Sequence, residues 1–110
     1  MAENNNTAIT AQVQALGDLV AYQEHSVVSR EIIHKSSGTM TVFAFDKGEG
    51  LSEHTAPFDA AVYLIEGEAE VFIDSHPYVV KSGQMIILPA GRPHALKALT
   101  PFKMLLVMIR

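Results

Sequence analysis

From Val27 onward, short apolar segments alternate with clusters of Gly, Pro, Ser, Asp and Lys. The turn clusters recur about every 8–12 residues, the spacing of an all-β sandwich or barrel. Val27–His34 is β-branched and apolar enough for a strand, and Lys35-Ser36-Ser37-Gly38 follows as a turn. Thr39–Phe45 sets Thr, Thr, Phe, Phe against Met, Val, Ala, a period of two that predicts a strand with two different faces. Asp46–Gly50 is the next turn. Ala61–Ile65 and Ala69–Ile73 flank Glu66-Gly67-Glu68, which reads as a tight hairpin. Asp74–Pro77 turns the chain again, followed by short strands at Tyr78–Val80, Met85–Leu88 and His94–Ala98. Phe102–Ile109 is almost wholly apolar, as expected of a strand buried on both faces.

The N-terminal quarter is different. Residues 1–12 are polar and aperiodic and are expected to be mobile. Residues 13–22 fit a short helix or a strand, and Gly17 argues against a long helix. A chain of 110 residues suits one domain, here residues 13–110. With 48% hydrophobic and 18% charged residues, the composition is globular rather than disordered. A net charge of −4 with no Lys/Arg run argues against nucleic acid or an anionic membrane surface as a partner. Cysteine is absent, which removes disulfides, thiolate metal sites and cysteine nucleophiles. The opening residues lack the pattern of a signal peptide and no stretch has the length of a membrane span, so a cytoplasmic protein is expected.

Two segments carry a more specific pattern. Gly83, Pro89, Gly91 and His94 satisfy G-x5-P-x-G-x2-H at every fixed position. Gly48, His54 and Gly67 fit G-x5-H-x-H-x3,4-E-x6-G, with Ala56 at the second His position and Ala60 at the Glu position. Together they resemble the paired signature of the cupin superfamily, from about Phe43 to the C-terminus. The resemblance implies an all-β fold, a double-stranded β-helix or jelly-roll barrel. It also implies a site where three His and one Glu hold iron, manganese, zinc or nickel, and a homodimer. Family activities include dioxygenases, isomerases, epimerases and lyases, and other members only bind or sense small molecules, so fold alone does not choose.

The departures change the expected chemistry. Ala56 and Ala60 have no donor atoms, and Ala98 stands where the family often has Asn. His54 and His94 remain, a pair too few for a firmly held first-row metal. Asp59 adjoins the missing Glu position, but a one-residue shift along a strand turns a side chain to the other face. It supplies a carboxylate only if a bulge near Pro57-Phe58 re-aims it, and otherwise caps a turn at the barrel rim. His34 ends a strand and is a further candidate, whereas His25 and His76 read as surface residues. Phe58, Ala56 and Ala60 near the mouth, with Met85 and Met40 on strands, point to an apolar pocket. Glu66 and Glu68 read as solvated turn residues. The turn glycines precede no helix, so they form no phosphate loop.

The expected function is therefore a small-molecule-binding module with a depleted site centred on His54 and His94. The alternative is a metal-dependent enzyme of the dioxygenase, isomerase or lyase kind, using these two histidines, a weakly held divalent metal and a non-standard third ligand such as Asp59 or His34.

Overall fold

The computed structural model describes residues 9–110. It contains one 3₁₀ turn, Leu16–Leu19, and nine strands. These are β1 (Val27–Lys35), β2 (Gly38–Phe45), β3 (Gly50–His54), β4 (Asp59–Glu66), β5 (Glu68–Ile73), β6 (His76–Lys81), β7 (Met85–Leu88), β8 (His94–Ala98) and β9 (Phe102–Ile109). They form two facing antiparallel sheets in the orders β1-β2-β9-β4-β7 and β3-β8-β5-β6. This is the expected barrel, and among the described residues no helix is long and apolar enough to cross a membrane. Residues 1–8 of the expected mobile segment lie outside the described residues, while residues 9–11 form a turn.

Alternation along β2 sorts its side chains as the sequence predicts. Phe43 and Phe45 face the space between the sheets, and Met40, Val42 and Ala44 face out. In-register pairing sets Phe45 opposite Phe102, and their rings stack with centroids 4.4 Å apart and planes 6° off parallel. Both rings are fully buried, with Leu64, Val71 and Met104 around them. This stack plugs one end of the barrel.

Val42 and Ala44 are also fully buried, although they face outward. The segment ambiguous between helix and strand explains this. Its 3₁₀ turn brings Leu16, Leu19 and Val20 over Val42, Ala44 and Leu105. Polar ties hold the strap in place. Tyr22 donates to Glu66 Oε2 at 2.6 Å, and Lys103 Nζ donates to the Gly17 carbonyl at 2.7 Å. Strand β9 is thus covered on both faces at its Phe102 end only. Toward Ile109, which is 61% exposed, the outer cover is gone.

Two readings of the turns need correction. Residues 66–68 do not close a hairpin: β4 pairs with β7 and β9, and β5 pairs with β6 and β8. The chain crosses from one sheet to the other at Gly67, which has φ +84°. A Cβ there would lie 2.2 Å from the Pro101 carbonyl oxygen, so the crossing needs glycine for space as well as conformation. The two-residue hairpin is instead Asp74-Ser75, both at positive φ, between β5 and β6. His76 belongs to β6 rather than to the turn, though it is exposed as expected. Strand β3 gave no sequence signal because Gly50-Leu51-Ser52-Glu53-His54 carries a single aliphatic residue.

Candidate functional site

The end of the barrel opposite the phenylalanine stack is not filled. A cavity of about 50 Å³, open on one side, lies between the sheets there. It is far smaller than a drug-sized pocket and about a third of the ~150 Å³ cavity that encloses a benzene ring, so it holds a few apolar atoms of a molecule whose remainder lies at the mouth. Its wall is hydrocarbon and thioether apart from His54 and His94. Leu51 comes from β3, Ala60 and Val62 from β4, Leu88 from β7, Leu96 from β8, and Met104, Leu106 and Met108 from β9, with Ala56 in the connection before β4.

Both histidines reach this space for local reasons. Gly83 opens the turn before β7, and Pro89-Ala90-Gly91 then ends that strand. The corner delivers His94 at the first position of β8, where it is 6% exposed. On β3 the pairing runs Leu51 with Leu96 and then His54 with His94, with a register shift between. Residues 51 and 54 would point to opposite faces of a regular strand. The extra residue of the bulge reverses that parity, so both line the cavity.

The rings meet edge to face, with centroids 4.4 Å apart and planes at 70°. Nε2 of His54 lies 3.2 Å from Nε2 of His94. Each Nδ1 lies against a main-chain carbonyl two residues back: His54 against Ser52 O at 3.0 Å and His94 against Arg92 O at 3.2 Å. A carbonyl only accepts, so each Nδ1 placed to bond one carries a proton, and the two Nε2 atoms share the space between the rings. Burial pushes His94 below the ordinary imidazole range; the Arg92 carbonyl offsets part of this, and the neighbouring His54 adds to the lowering.

The remaining candidates do not join the pair. Asp59 Oδ1 accepts from the Ala90 N–H at 2.8 Å, and the Ala56 carbonyl accepts from the Gly91 N–H at 2.8 Å. Asp59 is therefore the rim cap, pinning the 55–58 connection to the Pro-x-Gly corner, and its pairing with the outward-facing Ile109 turns it away from the cavity. Phe58 lies outside the cavity wall with the Arg110 guanidinium 5.6 Å above its ring. Met85 is 52% exposed on the outer face, paired with Tyr63, and Met40 also faces out. Neither lines the pocket, because β7 presents Ile86 and Leu88 inward. His34 pairs with Glu31 at 3.1 Å. Strand register sets it on the cavity side of its sheet but two strands away from Met108, roughly 10 Å. His25 is at the surface beside Glu24.

The lining residues that sequence reasoning missed are Leu51, Val62, Leu88, Leu96 and the inward side of β9. Two had a usable signal. Leu96 shares the parity of His94, and Val62 that of Ala60. Strand β9, apolar at every position but Lys103, gives no parity signal at all.

A four-ligand metal site does not fit these residues. Two imidazoles stand at a hydrocarbon wall, and among the described residues no three His, Cys, Asp or Glu are grouped to hold an ion.

Residues 41–109 match the family model described as "Cupin domain". A conserved protein of unknown function from Streptococcus pyogenes is 40% identical over 91% of this chain and 88% of its own, with a TM-score of 0.87. A cupin 2 conserved barrel domain protein from Leptotrichia buccalis is also 40% identical, over 86% of this chain and 46% of its own, with a TM-score of 0.83. A cupin superfamily protein from Desulfitobacterium hafniense shares the fold at 24% identity, covering 91% of this chain and 92% of its own, with a TM-score of 0.86. No curated protein matches the chain.

Proposed function

We propose, on the premise that this chain belongs to the cupin domain family, that it is a binding module for a small, largely apolar molecule. The observation that carries this reading is the wall of the cavity, where nine of eleven lining residues are aliphatic or thioether side chains. Such a pocket with a few convergent polar groups is the ordinary form of a ligand site. The molecule's apolar part lies against Leu88, Leu96 and Met104, and its polar end meets His54 and His94 at the mouth. The metal-dependent alternative needs a third donor from the protein, and neither candidate for it lines the cavity: Asp59 caps the rim and His34 lies two strands from Met108.

Two measurements test the reading together. Xenon is expected to shift the methyl resonances of Leu88, Leu96 and Met104, as it does in dry apolar cavities. Elemental analysis of protein purified without an affinity tag is expected to find no stoichiometric metal. About one metal per chain, lost in His54→Ala/His94→Ala, would restore the enzyme reading; no xenon shift would remove the pocket.

The homodimer is proposed on a separate observation. Register pairing sets Ile33, Met40, Val107, Ala61 and Ile87 in one row across all five strands of the larger sheet, on its outer face. Around the row, Ile33, Tyr63, Met85, Ile87 and Ile109 are 40–61% exposed. A patch of this kind marks an interaction surface, and a two-fold axis brings the same patch of a second copy to cover it. Sedimentation at micromolar concentration is expected to give twice the chain mass, and Ile87→Arg to give one.

A further inference from the structure

Resting on the pocket reading, we infer that the ligand is a short aliphatic amine, its chain end in the cavity and its ammonium group on a polar shelf formed by Thr39 and Thr41 of β2 and Glu31 and His34 of β1.

Exposure around the cavity shows which way it opens. The lining residues on β4, β7 and β8 are all buried, whereas Leu51, Leu106 and Met108 are half-buried and His54 is exposed. The mouth is therefore beside β3, the edge strand of the smaller sheet. The chain crosses between the sheets from β2 to β3, β4 to β5, β6 to β7 and β8 to β9. These strands face one another in pairs, and β1 has no strand opposite it. The inner face of the larger sheet runs on past the mouth as an uncovered shelf.

Register puts the shelf in line with the mouth. Thr41 pairs with Leu106 and Thr39 with Met108; Glu31 then pairs with Thr41 and His34 with Thr39. Residues 31 and 34 would fall on opposite faces of a regular strand, and the bulge between Glu31 and Ile33 puts both on the inner one. It does for Glu31 and His34 what the β3 bulge does for Leu51 and His54. Glu31 Oε2 lies 3.1 Å from His34 Nδ1. The hydroxyls of Thr39 and Thr41 bond no other group among the described residues.

The chemistry of the shelf selects the head group. A carboxylate and two hydroxyls all accept hydrogen bonds, and an ammonium group donates three. The cations nearest in the chain are turned elsewhere. Arg30 pairs with the outward Val42, and Lys35 alternates to that same face. Arg110 is held between the Phe58 ring and the Lys35 carbonyl, four residues past Leu106, roughly 13 Å along the strand direction. A carboxylate head would therefore meet the Glu31 charge and no partner. Glu31 stands two strand spacings from Leu106, roughly 10 Å, so a short linear chain joins the two places. Its last few carbons are what a cavity of about 50 Å³ holds.

The test is an NMR titration at pH 7.5 with three linear probes that share one alkyl chain: n-pentylamine, 1-pentanol and pentanoate. At this pH the amine is a cation and the acid an anion. Each presents the same chain end to the cavity, followed at the methyl groups of Leu96 and Met104. n-Pentylamine is expected to move the amide signals of Glu31 and Thr41 and to bind about three- to tenfold tighter than 1-pentanol, the margin of a charge-assisted over a neutral hydrogen bond. Pentanoate is expected to bind more weakly than either. Glu31→Gln, an exposed substitution, is expected to erase the margin and leave 1-pentanol unchanged. Glu53→Gln removes the same charge from the far side of β3, where Glu53 lies with Phe72 and Ala95, and is expected to keep the margin. If 1-pentanol binds and n-pentylamine binds no tighter, the amine inference falls and the pocket reading stands. Pentanoate binding best, a margin that survives Glu31→Gln, or one lost equally in Glu53→Gln also overturns the inference. If none of the three shifts the Leu96 and Met104 methyls, the pocket reading fails with it.

Discussion

The two ends of this barrel are built from the same strands and end differently. At the closed end β2 and β9 contribute Phe45 and Phe102, stacked and fully buried. At the open end the same inward face of β9 continues as Leu106 and Met108, but β4 meets it with Ala60. Alternation gives both ends an apolar interior; side-chain volume decides which becomes core and which becomes cavity. The pair of alanines at positions 56 and 60 therefore does two things at once. It removes ligand atoms, and it leaves the space those atoms and a metal would have occupied.

The largest contrast is expected from truncation at the closed end. Phe102→Ala should cost about 3–5 kcal/mol of unfolding free energy, because it removes one ring of a stacked pair and leaves a cavity. Denaturant titration with an unchanged m-value checks this. At the open end, Ala60→Leu adds volume to existing space, so its cost should stay below the roughly 1–3 kcal/mol of overpacking a filled core. The same variant should abolish the xenon shift. An Ala60→Leu penalty as large as that of Phe102→Ala would mean that the two ends are equally packed.

A smaller effect should appear with pH. The His94 folded value is lowered from the ordinary 6.5. Above 6.5 the ring is neutral in both folded and unfolded chains, so it adds no pH slope. As pH falls below 6.5 the unfolded chain takes up the proton first, and stability is lost until the folded value is passed. His94→Leu should flatten this part of the stability profile relative to the unsubstituted protein, measured between pH 7.5 and 5. The smallest effect is expected at the rim. Asp59→Ala removes one exposed hydrogen bond to Ala90 N–H, worth about 0.5–1.5 kcal/mol, and should leave any metal content unchanged.

The barrel was legible because strand and turn chemistry alternate so regularly after Val27, and because Gly83, Pro89, Gly91 and His94 occupy every fixed position of one signature. Strand β3 was not, because an edge strand of Leu, Ser, Glu and His has no apolar period to read. Its bulge was equally hidden, yet that bulge sets His54 facing His94. Asp59 was decidable in principle: with no bulge within β4 near it, the face rule turns it away from Ala60, as found. Met85 was misplaced because a four-residue apolar strand fits either parity, and only its pairing with Tyr63 fixes which side is out. The outward burial of Val42 and Ala44 depended on a strap whose helix-or-strand ambiguity the sequence left open.

At the mouth of an apolar pocket, His54 and His94 each turn Nδ1 to a main-chain carbonyl and Nε2 to each other. Long-range ¹⁵N–¹H correlation of the histidine side chains at pH 7.5 tests this arrangement most directly. A proton on Nδ1 of both His54 and His94, bonded to the Ser52 and Arg92 carbonyls, is the expected result. An unprotonated Nδ1 at either ring would contradict it, since that nitrogen would then face a carbonyl oxygen with no proton between them and the two rings would not be held in this orientation.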